Sequence, residues 1–69
     1  MATGIVRSFN PSKGFGLITP DVGGPPVFAR QSAIVTPGLK TLKALQRVRY
    51  EVLEVTEGLF ATNIQLVMD

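Results

Sequence analysis

Residues 13–18 read Lys-Gly-Phe-Gly-Leu-Ile, and the short apolar run from Phe15 to Thr19 indicates a β-strand. Successive side chains of a strand point to opposite faces, so this run divides into two sets. One face carries Phe15, Leu17 and Thr19, and the other carries Gly16 and Ile18. Because Ile18 suits a buried core, Phe15 is expected to point outward.

Turn-forming residues lie on both sides of this strand. Asn10-Pro11-Ser12-Lys13-Gly14 precedes it, where proline fixes its own φ and glycine permits a positive φ. Residues 21–26 follow it and contain two glycines and two prolines, which cannot continue a hydrogen-bonded ladder. We therefore predict a first strand over 4–10, a second over 15–19 and a loop after the second.

The rest of the chain adds three further strands. A third strand is predicted over 27–30, where Phe28 and Arg30 share the side opposite Val27 and Ala29. A single helical turn is expected at 32–34, and the stretch 31–44 is the least regular. The fourth strand alternates from Arg47 to Val55, with a change of phase near Leu53 that suggests a bulge or a bend. A turn at Glu57-Gly58 and a fifth strand over 59–67 complete the pattern.

Five strands in 69 residues predict an all-β fold, namely a five-stranded antiparallel Greek-key barrel. Closing the sheet into a barrel would leave no exposed edges. The chain is too short for two cores, so we expect a single domain over residues 1–69. The expected core residues are Val6, Ile18, Val27 and Ala29.

The composition excludes several kinds of chemistry. The chain has no cysteine and no histidine, so it lacks disulfides, thiolate metal sites and the commonest general base. With five carboxylates and no nucleophile–base pair, it is not expected to be an enzyme or to hold a metal or a cofactor. No membrane span or signal peptide is evident, so we expect a soluble cytoplasmic protein with no membrane partner.

Charge is distributed unevenly along the chain. Seven basic residues against Asp21 alone leave residues 1–49 with a net charge of +6, whereas four acidic residues leave residues 50–69 with −4. A folded molecule with this distribution could present one positive face to a polyanion. The alternative is that surface charges are segregated by chance, and charge alone does not decide between the two.

An ordered series of segments over nearly the whole chain resembles the cold-shock domain family. The segments are 4–10, 13–18, 27–28, 32–34, 38–42, 46–48 and 61–64. Residues 13–18 match the family's first ribonucleoprotein-type motif, and Val27-Phe28 opens its second. The resemblance implies an OB-type barrel that binds single-stranded RNA or DNA with little sequence preference. It also implies a role in stress response as an RNA chaperone or a regulator of transcription or translation.

The resemblance and the strand pattern together predict a nucleic-acid-binding face. Outward-facing Phe15 and Phe28 are unusual unless something covers them, and stacked bases would do so. The alternative is that both rings pack under loops. The small Gly14 and Gly16 could admit a nucleotide or could serve only the turn and the barrel's curvature. The predicted binding residues are Arg7, Phe9, Lys13, Phe15, Leu17, Phe28, Arg30, Gln31 and Lys40.

The chain departs from the family on this same face. The family usually has Trp at Ser8, Phe at Leu17, His at Arg30, Phe at Gln31 and an aromatic residue at Leu39. Since each base–aromatic stack contributes roughly 1–3 kcal/mol, we expect weaker and more salt-sensitive binding than in typical members. Partial compensation is expected from the planar, charged Arg30 and from hydrogen bonding by Gln31.

The same departures support a rival interpretation, in which the barrel acts as a protein-interaction or self-associating module. Leu17, Leu39 and Leu45 make its surface more apolar than expected, and Leu45 stands where the family usually has Gly. The expected oligomeric state is a monomer or a strand-swapped homodimer. Saturable binding of oligonucleotides would argue against this interpretation, and concentration-dependent dimerisation would argue for it.

Overall fold

The computed structural model describes residues 2–35 and 41–67, which form one closed barrel. Its elements in chain order are β1 (Ala2–Asn10), β2 (Phe15–Pro20), β3 (Val27–Arg30), a 3-10 turn (Gln31–Ala33), β4 (Arg47–Val55) and β5 (Gly58–Leu66). The strand order is β1-β2-β3-β5-β4, and β1 also pairs with β4 to close the barrel. The prediction of an all-β, five-stranded barrel is confirmed; its contact between β3 and β5 is parallel and the other pairs are antiparallel.

The turn between β1 and β2 is closed by Asn10 and Gly14. The Asn10 side-chain Oδ1 accepts hydrogen bonds from the backbone N–H groups of Ser12 (3.0 Å) and Lys13 (3.2 Å). The Asn10 carbonyl accepts a further bond from the Gly14 N–H at 2.8 Å, and Gly14 has a φ of 76°. These bonds fix the position at which β2 begins, and therefore the position of Phe15.

A β-bulge in β1 changes the phase of its side chains. Val6 pairs with Ile18 and Ser8 pairs with Leu17, so Arg7 is an extra residue without a partner on β2. Arg7 and Ser8 are both exposed as a result. A bulge of this kind locally bends and twists its strand, which helps a short sheet to close into a barrel.

Gly16 serves the close approach of β1 and β2. It is buried, and a Cβ at this position would overlap the Ser8 carbonyl oxygen and lie 2.6 Å from Phe9 Cα. Only glycine can occupy such a position without moving the neighbouring backbone. The suggestion that Gly16 admits a nucleotide to the outer surface is therefore wrong, because its missing side chain faces inward.

The core lies inside the barrel and contains no charged residue among the described positions. Val6, Ile18, Val27 and Ala29 are at most 1% exposed, which confirms all four predicted core positions. The other members of the core are Leu42, Val48, Tyr50, Ala61 and Ile64.

Tyr50 is the largest fully buried side chain. Its hydroxyl is buried, and no residue within 2–35 or 41–67 forms a hydrogen bond with it. Burial raises the pKa of the Tyr50 hydroxyl above its usual value, and the negative charge of Asp21 raises it further. Tyr50 therefore contributes packing at the expense of one unsatisfied polar group.

The irregularity in β4 and β5 lies at Tyr50, so the prediction of a bulge near Leu53 is wrong. Arg49 pairs with Gln65 and Glu51 pairs with Thr62, which leaves an extra residue on β5 opposite Tyr50. The change of phase near Leu53 has another cause. Val52 and Leu53 are 47% and 53% exposed, so neither face of β4 is buried at this point. Burial therefore does not require apolar and polar residues to alternate here.

Candidate nucleic-acid interface

A row of outward-facing side chains crosses all five strands. Pairing places Ser8 beside Leu17, Leu17 beside Phe28, Phe28 beside Phe60, and Phe60 beside Leu53. A second, shorter row places Phe15 beside Arg30. The two rows bring the aromatic side chains of β2, β3 and β5 onto one surface of the barrel.

Phe15 and Phe28 lie on this surface as the strand pattern predicts. They are 42% and 37% exposed, whereas their chain neighbours Gly16, Val27 and Ala29 are buried. Within the described residues the rings remain accessible, which does not support the alternative of packing under loops. Rings exposed in this way can each offer a face to a base.

Phe60 is a member of the surface that sequence reasoning missed. Its ring stacks on Phe28 with centroids 5.4 Å apart and an interplanar angle of 29°. The guanidinium carbon of Arg30 lies 4.6 Å from the centroid of the same ring, within the range of a cation–π contact. The available signal was its place on β5 beside Ala61, since the neighbour of an inward-facing small residue points outward.

An open groove lies beside these rings and is here called the platform groove. It has a volume of about 500 Å³ and is lined by Lys13, Gly14, Phe15, Phe28, Arg30, Gln31, Ser32 and Phe60. The structure thus brings together five predicted residues, namely Lys13, Phe15, Phe28, Arg30 and Gln31. Among the described residues that line the groove, two carry a positive charge and none carries a carboxylate, so the charge of the groove suits a phosphate backbone.

Gln31 is held at the edge of the platform groove by the turn before β2. Its backbone N–H donates a hydrogen bond to the Gly14 carbonyl at 2.8 Å. Its side-chain Oε1 lies 3.4 Å from the point at which a Cβ on Gly14 would stand. The Gln31 amide is therefore placed over Gly14, where it remains exposed and available for hydrogen bonding.

The remaining predicted residues lie elsewhere. Phe9 is half-buried and packs against the core, because it pairs with the inward-facing Gly16; its part in binding stays a prediction. Arg7 is exposed in the bulge and does not line the platform groove. Leu17 is half-buried in the row between Ser8 and Phe28. Lys40, like Leu39, lies outside the described residues.

A second groove continues from the first and is here called the hairpin groove, because it reaches the β4–β5 turn. Its volume is about 640 Å³. Arg30, Ser32 and Phe60 line both grooves and form the wall between them. The hairpin groove is otherwise lined by Ala33, Val35, Leu53, Val55, Glu57, Ala61, Thr62 and Asn63.

The described residues contain neither a cluster of three or more side chains suited to a metal nor a helix able to cross a membrane.

An ion pair lies at the N-terminal end of β4, where Arg47 contacts Asp21 at 3.0 Å and the Thr3 hydroxyl donates a hydrogen bond to the same carboxylate. Asp21 and Arg47 line neither groove.

Comparison with known proteins identifies the family. The model of the 'Cold-shock' DNA-binding domain matches residues 2–67. The chain belongs to the cold-shock domain family. Cold shock-like protein CspA of Stigmatella aurantiaca is 48% identical over 67 residues, which cover 97% of this chain and 98% of the relative. Cold shock-like protein CspE of Escherichia coli is 49% identical over 61 residues, which cover 88% of each protein.

The same fold occurs in a distant solved structure. Drosophila Unr CSD456 matches with a TM-score of 0.81 and 16% identity, over 97% of this chain and 26% of that one, so the chain spans about a quarter of its length. Cold-shock domains bind nucleic acids and are not enzymes, so membership makes this chain a nucleic-acid-binding domain. It does not favour the rival interpretation of a barrel reused for protein contact.

Proposed function

We propose that this cold-shock domain binds single-stranded RNA or DNA with low sequence specificity, by stacking bases in the platform groove. The observation that carries the proposal is the combination of two exposed aromatic rings, Phe15 and Phe28, with two cations, Lys13 and Arg30, in one groove. Aromatic faces accept every base, and cations neutralise the backbone that any strand carries. A role as an RNA chaperone or a regulator of transcription or translation would use this kind of binding.

The surrounding side chains support contacts to the phosphates and to the base edges. Lys13 and Arg30 flank the rings, and the exposed Arg7 would extend phosphate contacts beyond the groove. Lys40, which lies outside the described residues, is proposed to add a further phosphate contact. Gln31 would hydrogen-bond a base edge from its position over Gly14. These contacts read little sequence, since phosphates are the same at every position.

Binding is proposed to be weaker than in typical members and more dependent on salt. Leu17 and Ser8 stand in the outward row where the family resemblance implies aromatic rings. Each missing stack costs roughly 1–3 kcal/mol. Phe60, which stacks on Phe28, restores part of the lost aromatic area. Arg30, which lies over the Phe60 ring, adds a positive charge. A larger share of the binding free energy then comes from screened electrostatic contacts.

The test is a fluorescence titration with single-stranded hexathymidine at low and moderate salt. Replacing both rings, by Phe15→Ala with Phe28→Ala, should weaken binding at least about thirtyfold, because two stacks of roughly 1–3 kcal/mol are removed. Val22→Ala is the matched control, since Val22 is 97% exposed and lines neither groove. Equal affinity in the double variant and the wild type would overturn the proposed site, and no binding by wild type would overturn the function.

A further inference from the structure

The hairpin groove extends the proposed binding surface beyond the residues assigned to it above. It shares Arg30 and Phe60 with the platform groove, so a strand leaving one groove meets the other directly. Its volume of about 640 Å³ lies within the range of about 300–1,000 Å³ that is typical of ligand clefts. Continuity with the platform groove favours the same strand as its occupant.

The lining of the hairpin groove suits the shape of a nucleobase, which has two apolar faces and a polar edge. Phe60 and the exposed Leu53 and Val35 supply apolar surface. Arg30, already held 4.6 Å from the Phe60 ring, offers a planar guanidinium on which a base can stack. Asn63, which has a φ of 51° in the β5 bulge, adds an exposed amide to the lining.

Glu57 gives this groove a chemistry that the platform groove lacks. Glu57 is an exposed carboxylate in the turn between β4 and β5 and lines only the hairpin groove. An ionised carboxylate accepts hydrogen bonds but cannot donate them. It therefore pairs with the amino group of cytosine, and it is repelled by the carbonyl oxygen that thymine or uracil presents at the corresponding position. Its negative charge disfavours a nearby phosphate, whereas the positive charge of Arg30 in the same groove attracts one.

We propose that the hairpin groove binds one further nucleobase of the same strand, and that Glu57 makes this position prefer cytosine to thymine or uracil. This inference rests on the proposed function, since it needs a strand bound in the platform groove. It adds a base preference at one position to a surface that otherwise reads little sequence.

The experiment compares the dissociation constants of single-stranded octacytidine and octathymidine for wild type, Glu57→Gln and Glu54→Gln. Glu54→Gln is the matched control, because Glu54 is an exposed carboxylate of the same hairpin that lines neither groove. Removing one negative charge should tighten binding of both oligonucleotides equally in Glu54→Gln. Glu57→Gln should in addition shift the ratio of the two constants about fivefold or more toward octathymidine, the effect of losing one base-edge contact.

A second pair of variants tests the groove by its apolar lining. Leu53→Thr should weaken octacytidine binding about threefold to tenfold and leave tetrathymidine binding unchanged, because only the longer strand reaches the groove. Val52→Thr is its control, since Val52 is 47% exposed on the same strand and does not line the groove. If both octamers bind but Glu57→Gln and Leu53→Thr behave like their controls, the inference is overturned and the proposed function stands. If wild type binds neither octamer, both fall.

Discussion

Phe28 and Phe60 stack with their ring centroids 5.4 Å apart, although their strands, β3 and β5, are separated in the chain by the whole of β4. The parallel pairing of β3 with β5 creates this contact. Arg30 adds a cation over the second ring. The aromatic surface of this cold-shock domain therefore reaches one strand beyond the two that carry its ribonucleoprotein-type motifs.

Phe60→Leu should weaken hexathymidine binding about fivefold to a hundredfold, the range expected for one lost stacking surface. The leucine keeps much of the apolar volume but cannot stack on Phe28 or hold Arg30 by a cation–π contact. Phe60→Tyr keeps the ring and should bind as wild type does. A titration of both variants checks this, with thermal unfolding to show that each is folded, and equal affinities for both would contradict it.

Leu45→Gly should raise the free energy of unfolding by about 1 kcal/mol, because a left-handed backbone costs a non-glycine residue roughly 1–2 kcal/mol. Leu45 has a φ of 73° and its side chain is 82% exposed, so little packing is lost. Ala44→Gly is the control: Ala44 is exposed without a positive φ, and the change should give no gain. Urea denaturation measures the free energy of unfolding of both variants. A Leu45→Gly variant less stable than wild type would show that the packing of the leucine side chain stabilises the protein by more than its backbone strain costs.

Tyr50→Phe should raise the free energy of unfolding by about 1 kcal/mol, since it removes a buried hydroxyl that has no partner among residues 2–35 and 41–67. The ring itself, which is fully buried, is retained. Chemical denaturation at neutral pH is the measurement. A loss of stability of similar size would show that the hydroxyl is hydrogen-bonded in solution.

Alkaline pH should destabilise the wild type through Tyr50. Burial raises the pKa of its hydroxyl in the folded protein, whereas in the unfolded chain it ionises near its usual value of 10.0. The stabilisation of the folded state that follows from this difference in pKa is fully present below about pH 10. It is lost at higher pH, because the unfolded chain then releases its proton more readily than the folded protein does. Tyrosinate absorbance measures this directly, because Tyr50 is the only tyrosine and the chain has no tryptophan. A native titration midpoint at or below that of the urea-unfolded chain would contradict the prediction.

Gly16→Ala should destabilise the barrel by about 3 kcal/mol, the upper end of the usual cost of overpacking. The added Cβ overlaps the Ser8 carbonyl oxygen, so β1 and β2 must move apart. Gly23→Ala is the comparison, because Gly23 has a φ of 84° but open space around it. It should cost only about 1 kcal/mol for its backbone conformation. Similar losses in the two variants, measured by denaturation, would argue against the close approach of β1 and β2.

Local patterns predicted much of this fold. Alternation and turn residues placed β2 and β3 within a residue of their observed bounds, and they identified Ile18 as buried and Phe15 as outward. These features depend on neighbours in the chain. The bulge at Arg7 does not, because it is a property of how β1 meets β2 and β4, and it is the reason that Phe9 faces the core.

The candidate site was predicted in part for the same reason. The platform groove is built around β2, β3 and the turn before β2, where local rules apply. Phe60 and the hairpin groove depend on the parallel pairing of β3 with β5, which joins segments far apart in sequence. No periodicity within β5 indicates which strand it will lie beside.

A single nucleic-acid strand is proposed to bind across the platform groove. The most direct test is a titration of hexathymidine into ¹⁵N-labelled protein, followed by amide chemical shifts. We expect the largest chemical-shift changes at residues 13–17, 28–32 and 60, and none at Val22 or Leu45. Changes centred on Val22 or Leu45, or no change at low salt, would contradict it.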